Sequence, residues 1–162
     1  IKLVWWFSLD PHQIKHEVRN TNLNKSVTMK IKRFGVSLDE SLVSALDEFV
    51  VESKFPNRSQ AIRALIKDYL VKDNWDQDKL VAGAVVLVYD HHKRDLNNKL
   101  THVQHDFHHL ILSTQHIHLS HHLCLETISI KGKASELKAL SDQMVGIKGI
   151  HHGKLVMTDL ES

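Results

Sequence analysis

The chain has 162 residues, 42% of them apolar, enough for one ordinary domain or two small ones and too much for a disordered chain. Its 21 Lys and Arg against 19 Asp and Glu leave a formal charge of +2, too small an excess to name nucleic acid as a partner from charge alone. The single Cys excludes an internal disulfide and suits a reducing, cytoplasmic compartment, and no run approaches the length of a membrane span.

The small net charge hides an asymmetry. Residues 29–72 carry 8 basic against 6 acidic side chains, residues 73–162 carry 9 against 11, and twelve of the 14 histidines lie between His91 and His152. A boundary near residue 73 follows. Residues 1–28 match neither half. Ile1 to Phe7 is apolar but too short for a signal-peptide core, and Thr21 to Ser26 is polar loop. Met29 opens a well-patterned segment, so 1–28 are expected to be an N-terminal extension, disordered or non-native, with a genuine N-terminal arm as the alternative.

Residues 29–72 read as one strand and two helices. Phe34, Val36 and Leu38 alternate with Arg33, Gly35 and Ser37, the period of a strand with one buried face over Lys32 to Leu38. Ser37-x-x-Glu40 is a capping-box pattern, and Asp39 is a second candidate cap. Leu42, Val43, Leu46, Phe49 and Val50 then recur at helical spacing until Phe55-Pro56-Asn57 breaks the chain. Asn57, with Gln60 three residues on, starts a second helix with a stripe of Ile62, Leu65, Ile66, Tyr69 and Leu70. A lone strand leaves its edges unsatisfied. Pairing with the same strand of a second chain gives a two-stranded ribbon over four helices, an obligate dimer. Such a ribbon fits the major groove of duplex DNA, and its outward face carries Arg33, Gly35 and Ser37. The start of the second helix, Arg58-Ser59, offers free backbone N–H groups to a phosphate.

After a linker over 73–78, residues 79–162 form a second domain. Lys79 to His91 is dense in β-branched residues and predicts a strand. Asp95 to Ile111 predicts a helix, with Leu96, Leu100, Val103, Phe107, Leu110 and Ile111 on one face. Gln115 to Leu119 alternates, Ser120-His121-His122 is a tight connection, and Leu123 to Ile130 is the returning strand. Gly132 separates it from a helix over Ser135 to Met144, and Gly149 to Met157 closes the set. Strand, helix, strand, strand, helix, strand is the ferredoxin-like split βαβ order of ACT-type regulatory domains. The fold class is therefore α+β.

The chemistry concentrates in the hairpin. His116 and His118 are two apart on a strand, so both face one side, roughly 6–7 Å apart at the backbone. Cys124 begins the facing strand, and Glu126 follows on the same face as a group able to support a ligand. His105 lies on the preceding helix and points away from Val103 and Phe107, so a neighbouring chain could supply it to this hairpin. A strand His-x-His is often plain surface, and a lone Cys is often a small buried hydrophobe. Together in one hairpin they favour a metal, and thiolate with imidazole suits Ni, Cu or Zn rather than Mg or Ca. His91 and His92, at a strand end, are candidates for a weak accessory site, and the remaining histidines read as surface groups.

Two stretches carry a family resemblance. Arg33-Phe34-Gly35-Val36-Ser37-Leu38 and Asn57-Arg58-Ser59-Gln60-Ala61-Ile62-Arg63 resemble a ribbon-helix-helix DNA-binding domain. Val88-Tyr89-Asp90-His91, His116-Ile117-His118, Cys124-Leu125-Glu126 and Lys148-Gly149-Ile150-His151-His152-Gly153 make the chain from about residue 30 to 158 similar to the NikR family of nickel-responsive transcriptional regulators. The resemblance implies a homotetramer in which two ribbon-helix-helix dimers flank four ACT-like domains. It implies one Ni(II) per chain, bound square-planar across a subunit interface by His116, His118 and Cys124 of one chain and His105 of another. Gln104 and Glu126 match positions that hold those ligands by hydrogen bonds, and Arg33, Gly35 and Ser37 match base-reading positions on the ribbon. It further implies that the nickel-loaded protein grips palindromic operator DNA and represses nickel-uptake genes. Gly35 departs from the family in lacking a side-chain donor at the central reading position.

Two other functions compete. A metal hydrolase needs an open coordination position and a nearby base, and four soft ligands filling a square plane leave none. A ribbon-helix-helix repressor whose ACT-like domain senses a small organic ligand would make the His/Cys cluster incidental.

Overall fold

The protein is described here from a computed structural model, over residues 32–93 and 95–160. The expected N-terminal extension, 1–28, lies outside the described residues.

No strand is assigned over Lys32 to Leu38 among the described residues. A ladder is defined by bonds to a partner strand, and a single chain does not supply the one this segment was expected to use. Arg33, Gly35 and Ser37 are exposed, as are Phe34 and Val36 between them.

Helix α1 spans Glu40–Glu52. Asp39 occupies its N-cap position, where the Asp39 carbonyl accepts from Leu42 N and Val43 N while its side chain makes no capping bond. The expected Ser37-x-x-Glu40 capping box is therefore corrected: Glu40 is the first helical residue, not the third, and cannot reach back from N3. Lys54, at φ +56°, turns the chain out of the helix. After Pro56, Asn57 starts α2 (Arg58–Asp76) as its spacing predicts, its Oδ1 accepting from Gln60 N at 3.0 Å. Helix α2 runs on into the segment expected as linker, so residues 73–76 are its last turn.

The rest is a four-stranded antiparallel sheet in the order β2-β3-β1-β4, with β1 Leu80–Asp90, β2 Ile111–His118, β3 Leu123–Lys133 and β4 Ile150–Thr158. Helices α3 (Leu96–Asp106) and α4 (Ala134–Val145) connect β1 to β2 and β3 to β4, giving the expected ferredoxin-like order. Two boundaries differ from the pattern-based reading. The helix expected to reach Ile111 ends at Asp106, a 3₁₀ turn over His108–Leu110 follows, and Ile111 already opens β2. Leu110 and Ile111 serve the core from a turn and a strand rather than a helix, an ambiguity that short apolar runs carry. Gly132 does not end β3 but lies within it opposite Val81, where a Cβ would meet Leu110 Cδ2 at 2.6 Å.

Odd residues of β1 (Val81, Val85, Leu87, Tyr89) and even residues of β3 (Cys124, Glu126, Ile128, Ile130) are buried, so one sheet face packs under Leu137, Leu140 and Met144 of α4 and Leu96 and Leu100 of α3. Trp75 joins this core from the end of α2, 2% exposed, its indole Nε1 donating to Thr158 O at 2.9 Å. Gly83 leaves space for the Trp75 ring and the β4 backbone. The turn after α2 also serves α4, since Ser135 N donates to Asp78 Oδ1 at 2.7 Å; this bond to the carboxylate holds the Asp78 pKa below its usual value.

Truncating a buried aromatic costs about 3–5 kcal/mol. Trp75→Ala is therefore expected to lose stability in that range, and Trp75→Phe roughly 1 kcal/mol for the lost hydrogen bond, both read by denaturant unfolding followed in the far ultraviolet.

Candidate metal centre

Register builds the site. Cys124 pairs across β3 with His118 of β2 on one side and with Tyr89 of β1 on the other, and Glu126 pairs with His116 and Leu87. All of these side chains project from the sheet face that carries the helices. Cys124 is fully buried and free. Its Sγ lies 3.3 Å from His118 Nδ1 and 3.1 Å from His91 Nδ1. The ligand atoms of His91, His118 and Cys124 thus form one convergent group.

His116 stands one pair further along the hairpin, its ring edge-on to that of His118 at 5.1 Å. Its Nδ1 is 3.3 Å from the Tyr89 hydroxyl and 4.0 Å from Glu126 Oε2. Glu126 is 5% exposed, and both of its oxygens are engaged: Tyr89 Oη donates to Oε2 at 2.5 Å and Gln104 Nε2 donates to Oε1 at 2.7 Å. Burial and the Glu126 carboxylate push the Tyr89 phenol well above its ordinary value, so Tyr89 stays a proton donor. An open recess of about 300 Å³ lies beside His116, bounded by Asn97, Thr101 and Gln104 of α3.

His105 sits on the exposed side of α3, its ring stacked against His108 at 6.0 Å, and it joins no ligand group within its own chain among the described residues.

Burial pushes the Cys124 thiol up, and the carboxylates of Asp90 and Glu126 add to the effect. Burial also lowers the His91 pKa, with the neighbouring His92 and His118 acting in the same direction, so His91 is a neutral imidazole near pH 7. A thiol held protonated is a poor nucleophile and a good ligand-in-waiting. A divalent cation held here would take the place of the proton, and the thiolate of Cys124 with the neighbouring imidazoles would suit Ni, Cu or Zn. The donor chemistry therefore fits a metal of that class.

The sequence-predicted residues fall as follows. His118 and Cys124 are together, His116 adjoins them, and Gln104 and Glu126 are hydrogen-bonded to each other beside His116. Arg33, Gly35 and Ser37 lie on the exposed segment before α1. Arg58 and Ser59 open α2, with the Arg58 guanidinium engaged by Asp47 of α1 through Nε–Oδ1 at 2.6 Å and Nη2–Oδ2 at 2.7 Å. Sequence reasoning missed Tyr89 and left His91 to an accessory role. Their signal was available only through strand pairing, which sets Tyr89 against Cys124 and brings His91 two residues on.

Comparison with known proteins gives two family matches. Residues 82–158 match the NikR C terminal nickel binding domain, and residues 32–73 match the ribbon-helix-helix protein, copG family. A "Putative nickel-responsive regulator" of Syntrophus aciditrophicus is 50% identical over 125 residues, covering 77% of this chain and 91% of the relative. Proteins of the same name from Geobacter sulfurreducens and Thermococcus kodakarensis are 50% and 44% identical, covering 78% and 80% of this chain and 91% and 95% of those relatives. With a ribbon-helix-helix match ahead of a nickel-binding-domain match, and relatives at half identity over nine-tenths of their own length, the chain belongs to the family of nickel-responsive regulators.

Proposed function

We propose that this chain is a nickel-dependent repressor that binds Ni(II), one per chain, at Cys124, His118 and His116 with His105 of a neighbouring chain, and that the loaded protein binds a palindromic operator controlling nickel uptake. The observation that carries this reading is the cross-strand pair of His118 and Cys124, a buried thiol 3.3 Å from an imidazole. The cytoplasm is the proposed compartment; no helix among the described residues is long and apolar enough to cross a membrane.

When bound, the ion supplies positive charge that stabilises the thiolate and joins donors from separate elements. This chain's own residues do the rest. Tyr89 and Gln104 hold the Glu126 carboxylate, and Glu126 in turn sits against His116, so the imidazole is oriented from the second strand. Gln104 directly precedes His105 on α3, which ties the placement of that helix to the hairpin.

The proposed route to DNA is α2. It begins at Arg58 beside α1 and ends with Trp75 in the sheet's core, one continuous helix shared by both halves. Leu42, Leu65, Ile66 and Tyr69 are exposed on α1 and α2, and Phe34 and Val36 are exposed in the segment before them, apolar residues that support a dimer through this half. In the proposed homotetramer, nickel favours one arrangement of the sheet domains and so one spacing of the two ribbons. Arg33, Gly35 and Ser37 would meet base edges there, and Arg58 and Ser59 a phosphate.

Titrating Ni(II) is expected to raise a thiolate-to-nickel band in the near ultraviolet that saturates at one ion per chain and is absent in Cys124→Ala. A band that survives the substitution would overturn the site. Since the Cys124 thiol is raised, it is protonated through neutral pH and must lose a proton on binding. Affinity should therefore rise about tenfold per pH unit and fall correspondingly on acidification, checked by competition titration at several pH values. Operator affinity measured by gel shift should increase with nickel, and equal affinity with and without the metal rejects the repressor mechanism. Arg33→Ala should cost roughly 1–3 kcal/mol of operator binding while leaving the nickel band intact.

A further inference from the structure

We propose a second metal site at the β2–β3 turn, formed by His92, His121 and His122 alone, for a divalent transition ion of borderline softness. It shares no ligand with Cys124, and it does not depend on the nickel-sensor reading.

One ring nitrogen of each histidine lies within 4.8 Å of the other two. The His92 and His121 rings stack at 5.3 Å with planes 3° apart, His92 and His122 are 5.2 Å apart, and His121 and His122 are 4.7 Å apart. An ion with metal–nitrogen bonds of about 2.0–2.1 Å holds its donors roughly 3–4 Å from one another, so small side-chain rotations close the gap. Imidazoles without thiolate suit Ni, Cu or Zn, and the outward-facing turn leaves positions for water.

The backbone holds the three residues in place. His91 N donates to His122 O at 3.3 Å, tying the end of β1 to the turn. Ser120 Oγ accepts from His122 N at 3.3 Å and from Leu123 N at 3.1 Å, and Leu119 N donates to Leu123 O at 2.8 Å. Asp90 serves His92 twice: its Oδ1 accepts from the His92 backbone N at 3.0 Å and lies 3.4 Å from the ring Nδ1. A carboxylate at Nδ1 favours the proton there and leaves Nε2 as the donor, the usual support for a metal-bound imidazole. Packing gives no other account of this grouping, since all three histidines are exposed. His91 stands between the two sites, its ring 4.0 Å from that of His92 and its Nδ1 3.1 Å from Cys124 Sγ.

The test is equilibrium dialysis of the full chain against a fixed excess of free Ni(II), with bound metal counted per chain and the thiolate band recorded in parallel. Wild type is expected to hold two ions. His121→Ala/His122→Ala should hold one and keep the thiolate band, and His92→Gln should do the same. Cys124→Ala should hold one and lack the band, and X-ray absorption of that remaining nickel should show nitrogen and oxygen neighbours with imidazole scattering and no sulfur. His108→Ala/His109→Ala, exposed histidines elsewhere, should match wild type. The proposal is overturned if wild type shows the thiolate band yet holds a single ion, if the His121/His122 variant holds as many ions as wild type, or if the His108/His109 control loses as many. Failure of the thiolate band alone rejects the nickel-sensor reading and leaves the count at the imidazole site as an independent result.

Discussion

The constraint on which everything else rests is the register of β3 between its two neighbours. With His118 opposite Cys124 and Tyr89 opposite the same residue, the thiol, two imidazoles and the phenol all emerge on the helix-covered face. A slip of one residue would send Cys124 and Glu126 to the other face and bring Leu125 and Thr127 inward, exchanging a buried thiol and a buried carboxylate for apolar and hydroxyl groups. Register is pinned by packing rather than by the site, since Val81, Val85, Ile128 and Ile130 on the same face are fully buried beneath Leu137 and Leu140. The hydrophobic core thereby fixes the geometry of the polar cluster at its edge.

That cluster is unusual in placing a carboxylate at 5% exposure beside a thiol. An unpaired buried charge is costly, and one with both oxygens hydrogen-bonded is far less so. Glu126 meets that condition through Tyr89 and Gln104, and among the described residues no buried side-chain nitrogen or oxygen lacks a partner. Burial raises the Cys124 thiol, and Asp90 together with this same carboxylate adds to the rise. Glu126 thus contributes to both positioning and electrostatics, and its partners lie on β1 and α3, far apart in sequence.

The two halves of the chain differ in how they bury apolar surface. The sheet domain has a self-contained core with Trp75 sealing the end of α2. Helix α1 has no buried residue, and α2 buries only Ala61 and Trp75. Leu42, Leu65, Ile66 and Tyr69 make little sense as solvent-facing residues. The sheet half buries its apolar face within the single chain, whereas the helical half leaves its apolar residues exposed, which fits a ribbon-helix-helix protein that oligomerises.

The sequence was enough, through local period and spacing, for the order of elements from α1 onward, the α+β class and the hairpin carrying His116, His118 and Cys124, but the strand expected over Lys32 to Leu38 is not formed in the single chain. Period 2 and period 3.6 are encoded within a few residues, and Asn57 with Gln60 marks a helix start that the Asn57 side chain caps, its Oδ1 accepting from Gln60 N. It misplaced the end of α3, where Leu110 and Ile111 satisfy a helical stripe and a strand equally well, and the end of β3, where Gly132 reads as a break but is a close contact with Leu110. It also could not single out His91 or Tyr89, whose proximity to Cys124 exists only once β1 is laid beside β3. Nor could it show that His92, His121 and His122 meet, since the segments that a bond from His91 N to His122 O joins are distant in sequence. Local periodicity is a property of the chain, whereas which side chains share a face across strands is decided by pairing and by the core that locks it.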